Sequence, residues 1–285
     1  MPRPLHIACL QTRPMPDFQS AMDEALPLAE AAVKAGANFI CLPEYCGGLK
    51  SENGLFRPPA APEADHPSLN AFRQFAADNS VWVLVGSVAV PGEGEKFLNR
   101  GFLLDDRGTV RARYDKIHLF DIQLSADEVY RESALVEPGG EAVLAKVPGG
   151  KLGMSTCYDL RFPHLYRSLA KAGADILAVP AAFTKKTGQA HWHVLNRARA
   201  IENGAFVVAP CATGPVEGGG EAYGHSLIIN PWGEVITDGG EQPGFIHAEI
   251  DLDEAAAARG RIPALTHDRP FDLSDPERAK PQAAE

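Results

Sequence analysis

Three residues of this chain stand where apolar runs stop, and their types suit the hydrolysis of an amide. Residues 151–156 read as a strand and 162–172 as the start and body of a helix. Cys157 therefore lies at a sharp strand-to-helix junction. A side chain there projects from the carboxyl edge of a sheet while amide N–H groups of the following residues point toward it, which is the logic of a nucleophile elbow. The N–H of Tyr158 is placed to help stabilise an oxyanion. Taken alone, Cys157 reads more simply as a small buried hydrophobe, as most cysteines are. Glu44 follows the apolar run 39–42 and Pro43, which ends that strand. Lys116 comes at the end of another strand, before an apolar turn, and taken singly would be solvated.

The three make sense together. A thiol is only a few per cent thiolate at neutral pH and needs a base. A carboxylate can take its proton and later return it to a leaving amine. An ammonium beside that carboxylate keeps it ionised and can steady a tetrahedral intermediate.

The elements that must position these groups follow from periodicity. Residues 5–10 read as a buried strand and 19–35 as a helix stopped by Gly36, followed by a strand at 39–42. A helix at 68–78 leads to the apolar run 81–85. Residues 98–104 and 109–114 form an antiparallel pair across the turn 105–108, and 143–147 and 151–156 form another across Pro148-Gly149-Gly150. The segment VKAGANFICLP (33–43) is echoed by AKAGADILAVP (170–180), each a helix end, a glycine, a strand and a proline stop. An apolar strand precedes the helix in both cases. The expectation is an α/β fold of two related halves in a single domain over 1–273, with two packed sheets and helices outside. Residues 274–285 are polar, hold two prolines and are expected to form a mobile tail.

Composition narrows the class. The 285 residues are 45% hydrophobic, with 27 basic and 37 acidic side chains and a net charge of −10. So acidic a surface disfavours nucleic acid and anionic membrane as partners. Five cysteines without a CxxC pair point to reduced thiols, not to disulfides or a zinc site. No signal-peptide pattern and no run of about 18 apolar residues occurs, so a cytoplasmic location is expected.

The blocks LPEY (42–45), YDKIHLFD (114–121) and CYDLRFP (157–163) resemble signature blocks of the nitrilase superfamily of carbon–nitrogen hydrolases. The resemblance runs from LHIACLQ through FTKKTGQAHWHVLNRARAIEN and YGHSLIINPWGEV to IPALTHDRPFDL, nearly the whole chain. It implies an α-β-β-α sandwich, catalytic roles for Glu44, Lys116 and Cys157, and a thioester intermediate on the cysteine. A second glutamate that many members use falls on Glu132 in Tyr130-Arg-Glu-Ser133, where it would position Lys116 and contact the substrate amine. Glu128 is near but lacks the Glu-Ser context. Within the superfamily CYDLRFP, TGQAHW, RARAIEN and HDRPF look most similar to the Nit-type deaminated-glutathione amidases. The related omega-amidases acting on 2-oxoglutaramate are the nearest alternative, and nitrilases and N-carbamoyl amino-acid hydrolases share the machinery. A catalytically silent binding protein on the same fold would be expected to have lost one of the four residues. The resemblance also implies a homodimer or larger assembly through helices that follow the nucleophile.

Further signals carry less. Arg161 could meet a substrate carboxylate, although pairing with Asp159 or capping of local backbone is the simpler reading. Phe183, Thr184 and Thr187 follow a strand ending at Pro180 and are expected to line the pocket. His118 is expected to orient neighbours, not to act as base. His191 and His193, two apart on a helix, point in different directions, so no metal is expected there. The proposed chemistry needs neither metal nor cofactor. The glycines 218–220 form a turn and match no phosphate loop.

Overall fold

The computed structural model describes residues 2–52, 55–125 and 129–274. Its first half begins with three parallel strands, Pro4–Gln11, Phe39–Cys41 and Trp82–Pro91. Parallel neighbours need long crossovers, and the helices α1 (Phe18–Lys34) and α2 (Pro67–Asn79) supply them. Asp17 caps α1 by accepting from Ser20 N at 2.9 Å. Gly36, at φ +98°, turns the chain out of α1. Phe97–Leu104 then returns antiparallel beside Trp82–Pro91, and Gly244–Asp251 closes the other edge antiparallel to Pro4–Gln11.

The second half repeats this order. Gly150–Met154, Ile176–Ala178 and Phe206–Ala209 are parallel, joined by α3 (Pro163–Lys171) and α4 (Lys185–Asn203). Leu227–Ile229 returns antiparallel beside Phe206–Ala209, and Val143–Val147 closes the far edge antiparallel to Gly150–Met154. The echo between 33–43 and 170–180 thus marks equivalent turns of equivalent halves. Gly173 sits at φ +96°, close to the value at Gly36.

Period-two alternation sorts the side chains of these strands into layers. Ile7, Cys9, Phe39 and Cys41 meet Ile176, Ala178, Phe206 and Val208 in a core between the sheets. Ala8, Leu10, Ile40 and Val83 face the other way, packing with Ala25, Ala29 and Phe72 of α1 and α2. In the second half Leu177, Val207 and Ala209 pack with Leu165, Leu169 and Trp192 of α3 and α4. The outcome is the α-β-β-α sandwich that the alternation implies. The last segment of the chain expected to be a tail, from 275 on, and Glu128 lie outside the described residues.

One irregularity shapes the corner around Pro43. The pairing of Trp82–Pro91 with Phe97–Leu104 shifts register between Val85 and Val88, a bulge centred on Gly86 and Ser87. There the backbone presses against the end of the neighbouring strand. A Cβ on Gly86 would lie 2.1 Å from the Leu42 carbonyl oxygen and 2.3 Å from that of Pro43. Ser87 holds the same corner, its hydroxyl accepting from Tyr45 N at 3.0 Å and its carbonyl from Cys46 N at 3.0 Å. Gly86→Ala must therefore push 42–43 away from the bulge. It is expected to lower the unfolding free energy by about 1–3 kcal/mol in urea titrations. A loss of less than a few tenths would show that the corner yields freely.

Candidate active site

The carboxyl ends of the parallel strands in both sheets meet at one recess, the usual place for a site in α/β sheets. Glu44 stands two residues beyond the strand Phe39–Cys41 plus Leu42. Tyr45 behind it takes the left-handed conformation (φ +53°) that turns the chain sharply. Lys116 follows the strand Val110–Asp115, and its N–H bonds to the Asn99 carbonyl at 3.0 Å, extending the ladder by one residue. The short hairpin Asp121–Gln123 with Val129–Arg131 then folds the chain back and delivers Glu132. Cys157 opens the one-turn 3₁₀ helix Cys157–Arg161, three residues past the strand Gly150–Met154. It too is left-handed (φ +48°), a strained state for a residue with a side chain. Its N–H is hooked to the Pro180 carbonyl at 2.8 Å. The junction foreseen for a nucleophile elbow is thus present.

The four side chains are 2–7% exposed and form one cluster. Lys116 Nζ donates to Glu44 Oε1 at 2.9 Å and to both Glu132 oxygens at 3.1 and 2.9 Å. Asn99 Nδ2 donates to Glu44 Oε1 at 2.9 Å and to Glu132 Oε1 at 3.3 Å, bridging the carboxylates beneath the ammonium. Tyr45 OH and Phe120 N also donate to Glu132, at 3.2 and 2.6 Å. Glu44 Oε2 takes the N–H of Ala182 at 2.9 Å, a bond from the second sheet's edge to the first's.

These contacts set the protonation states. Burial works against charge on Glu44, yet the Lys116 ammonium and the Ala182 N–H hold its carboxyl below the ordinary range. Burial also opposes the Lys116 ammonium, and the two carboxylates outweigh it, keeping that group well above an ordinary lysine. Burial, then the adjacent Glu44 charge, pushes the Cys157 thiol up against the pull of Lys116. The resting state is therefore a neutral thiol facing an ionised carboxylate. Such a pair can pass a proton when an electrophile arrives, and the donors around it can stabilise an oxyanion.

The recess has Phe56, Phe120 and Phe183 as apolar walls and Thr184 and Thr187 at the start of α4. The two threonine hydroxyls share a 2.8 Å bond. Tyr158 is beside the recess, its ring edge-on to Phe120 at 5.3 Å, and its N–H has no acceptor among the described residues. Arg161 sits outside the innermost lining. Its guanidinium lies 5.4 Å from the Phe183 ring centre and 5.8 Å from that of Tyr158, with Nη1 3.3 Å from His191 Nδ1.

The expected Arg161–Asp159 pair is absent among the described residues. Asp159 is fully buried and instead accepts from Tyr114 OH at 2.6 Å, Thr156 N at 2.8 Å and His118 N at 3.0 Å, with His118 Nδ1 at 2.7 Å. That carboxylate has no room for a guanidinium at the rim. His118 stacks on Phe162 at 3.6 Å and orients this network, as its sequence context suggests. Asn99, Tyr45, Phe120 and the Ala182 N–H were not foreseen. A fully buried asparagine in the strand Phe97–Leu104 is a signal only once burial is known, since a buried amide must find partners.

The family model described as carbon-nitrogen hydrolase matches residues 6–260. A deaminated glutathione amidase from a Synechocystis strain is 40% identical over 270 residues, covering 93% of this chain and 98% of that protein. The crystal structure of the C. elegans NitFhit protein superposes with a TM-score of 0.85 at 32% identity, over 93% of this chain. This chain spans 65% of that one. A mutant amidase from Nesterenkonia sp. AN1, solved with the acetamide moiety of fluoroacetamide added covalently at its active site cysteine, aligns at a TM-score of 0.72 and 25% identity. The alignment covers 92% of this chain and 95% of that one.

Removing the ammonium gives a direct test of the cluster. Glu44, with its lowered value, contributes stability above about pH 4.5 that is lost as pH falls through its folded value. Lys116 contributes below its unfolded value near 10.5 and loses that only above its raised folded value. In Lys116→Met two carboxylates remain buried without their counter-ion. The cost is expected to be about 3–5 kcal/mol at pH 8. It should be smaller at pH 5, where one carboxyl can take a proton. Urea unfolding of both proteins at the two pH values checks this, and an equal cost at both would contradict the assigned charges.

Proposed function

From the premise that this chain belongs to the carbon–nitrogen hydrolase family, and is a cysteine-dependent amidase of the Nit-type branch in the nitrilase superfamily, we propose that it cleaves a small carboxylate-bearing amide resembling deaminated glutathione. The observation that carries this reading is that Cys157 and Glu44 line one recess, within a buried cluster whose cation is Lys116. Cys157 Sγ attacks the amide carbon as Glu44 takes the thiol proton. The tetrahedral oxyanion is stabilised by Lys116 and by the N–H of Tyr158. Glu44 then gives its proton to the leaving amine and a thioester to Cys157 remains. Water, deprotonated by Glu44, attacks that thioester and releases the acid, returning the thiol. Glu132, held by Tyr45 OH and Phe120 N, fixes Lys116 and faces the leaving amine.

The relatives named deaminated glutathione amidase support the substrate class, as does Arg161. Its guanidinium lies beside the recess wall Phe183 and has no carboxylate partner among the described residues. A substrate carboxylate at the mouth would supply one. A 2-oxoglutaramate specificity is the nearest alternative, since that compound also carries a carboxylate.

The same reading includes a homodimer or larger assembly. Val194 and Ile201 of α4 are 68% and 55% exposed, and Ile201 shares a surface hollow with Trp232 and Ile262. A cytoplasmic setting is supported by five unpaired, buried cysteines. Among the described residues no helix is long and apolar enough to cross a membrane.

The test is product formation from deaminated glutathione and from 2-oxoglutaramate by wild type, Cys157→Ala, Glu44→Gln and Arg161→Met. Cys157→Ala is expected to abolish turnover, and Glu44→Gln to lower kcat by roughly 10²–10⁴. Arg161→Met should raise KM more than it lowers kcat, because a binding contact at the mouth is lost. Faster turnover of 2-oxoglutaramate, or of neither compound, would overturn the substrate assignment. Turnover by folded Cys157→Ala would overturn the thiol mechanism.

A further inference from the structure

His193 finds its partners far along the chain, not at His191. Its Nε2 lies 2.9 Å from Asp238 Oδ2, while His225 Nδ1 lies 2.9 Å from Asp238 Oδ1. One ligand atom from each of the three residues falls within 4.8 Å of the other two. We propose that His193, His225 and Asp238 form a binding site for a divalent transition-metal ion of the zinc class, separate from the catalytic recess.

The donor set fits such an ion. Imidazole nitrogens with one carboxylate suit zinc, nickel and copper better than magnesium or calcium, which favour oxygen. Around a tetrahedral zinc with bonds of about 2.0–2.1 Å, neighbouring donors stand roughly 3.3 Å apart. With Asp238 Oδ2 as the carboxylate donor, His193 Nε2 stands at 2.9 Å and His225 Nδ1 at 3.1 Å, so these two pairs need to open by only a few tenths of an ångström, while the two imidazole nitrogens lie within 4.8 Å of each other and must come to the same spacing to admit the ion. Three protein ligands leave a fourth position for water.

The three side chains come from α4, from the loop 224–226 and from a strand end, and their surroundings are fixed before any ion arrives. His193 is carried on the body of α4. The neighbouring Trp192 donates its indole N–H to the His225 carbonyl at 2.7 Å, which fixes the helix against the segment bearing the second histidine. His225 is in the left-handed conformation (φ +52°), and its ring stacks on Tyr223 at 4.5 Å. Its own N–H is bound by the Gly240 carbonyl. Asp238, at the end of the strand Val235–Asp238, has Oδ1 fixed by Gly240 N at 2.9 Å. Locked side chains supported by outer hydrogen bonds are what a metal site requires of its surroundings.

The cluster is only partly buried, so an ion can reach it from solvent. Once bound it would clamp α4 to the edge of the second sheet. A metal that binds the folded chain alone raises its thermal stability by mass action.

Zinc chloride titrated calorimetrically into metal-stripped Cys157→Ala protein tests the proposal, the substitution removing the thiol that would otherwise compete for the ion. One equivalent should bind, with a rise in Tm. His193→Ala and His225→Ala, added singly to that background, should each weaken binding at least tenfold and abolish the Tm rise. His191→Ala should change neither. Circular dichroism confirms that each variant is folded. No zinc uptake by the folded parent, or equal uptake by the His193 and His225 variants, would overturn the proposal.

Discussion

A single ammonium held between two carboxylates, all three out of water, is the interaction around which the rest of this molecule is arranged. Lys116 is 2% exposed and both its partners are nearly as deep. Taking such charges out of water costs several kcal/mol per ion, recovered only where geometry and further hydrogen bonds are good. Here the surplus negative charge is spread over N–H and O–H donors of Asn99, Tyr45, Phe120 and Ala182. Every one of those donors belongs to a different segment, so the cluster can be satisfied only when the segments are all in place. The polar centre thereby dictates how the strand ends of both sheets must be set.

That demand explains why two similar halves make one site and not two. Each half delivers a strand end closed by a proline, at Pro43 and at Pro180. In the first half the next residue is Glu44. In the second it is Ala181, and the half contributes instead the Ala182 N–H to Glu44 and the Pro180 carbonyl to Cys157. The equivalent positions have diverged into an acid and a backbone support. The bulge at Gly86 belongs to the same design, since it lets the neighbouring strand approach the Leu42 and Pro43 carbonyls closely enough to brace the glutamate.

The sequence made the layers and three of the four charged or nucleophilic groups legible for a simple reason. Period-two apolar runs mark strands, and a polar residue that ends such a run must lie at a sheet edge, as Glu44, Lys116 and Cys157 do. Glu132 sits on a short hairpin with no long run to announce it, and resemblance alone pointed to it. Asn99 was missed because a strand asparagine carries no sign of which carboxylates it will bridge. The error over Arg161 has the same root. Proximity in sequence suggested Asp159, but that carboxylate is claimed by Tyr114, some 45 positions away. His193 likewise looked solitary because its partners, His225 and Asp238, come from other elements. Side-chain partnerships across elements are set by packing, which local pattern does not encode.

Cys157 adds a second tension to the buried charges. Cys157 combines a left-handed backbone with a thiol kept protonated by burial and by the charge of Glu44. Neither feature favours the folded state by itself, and the Pro180 carbonyl and the buried Asp159 network are what hold the elbow in that posture. A thiolate at rest would sit against the negative charge of Glu44 and Glu132. Keeping the proton on sulfur until a carbonyl arrives avoids that repulsion. In the proposed reaction, moving it to Glu44 during attack leaves the total charge of the cluster unchanged, so the surrounding donors need little rearrangement. The same donors that make the cluster stable are thus already placed for the charge distribution that the reaction creates.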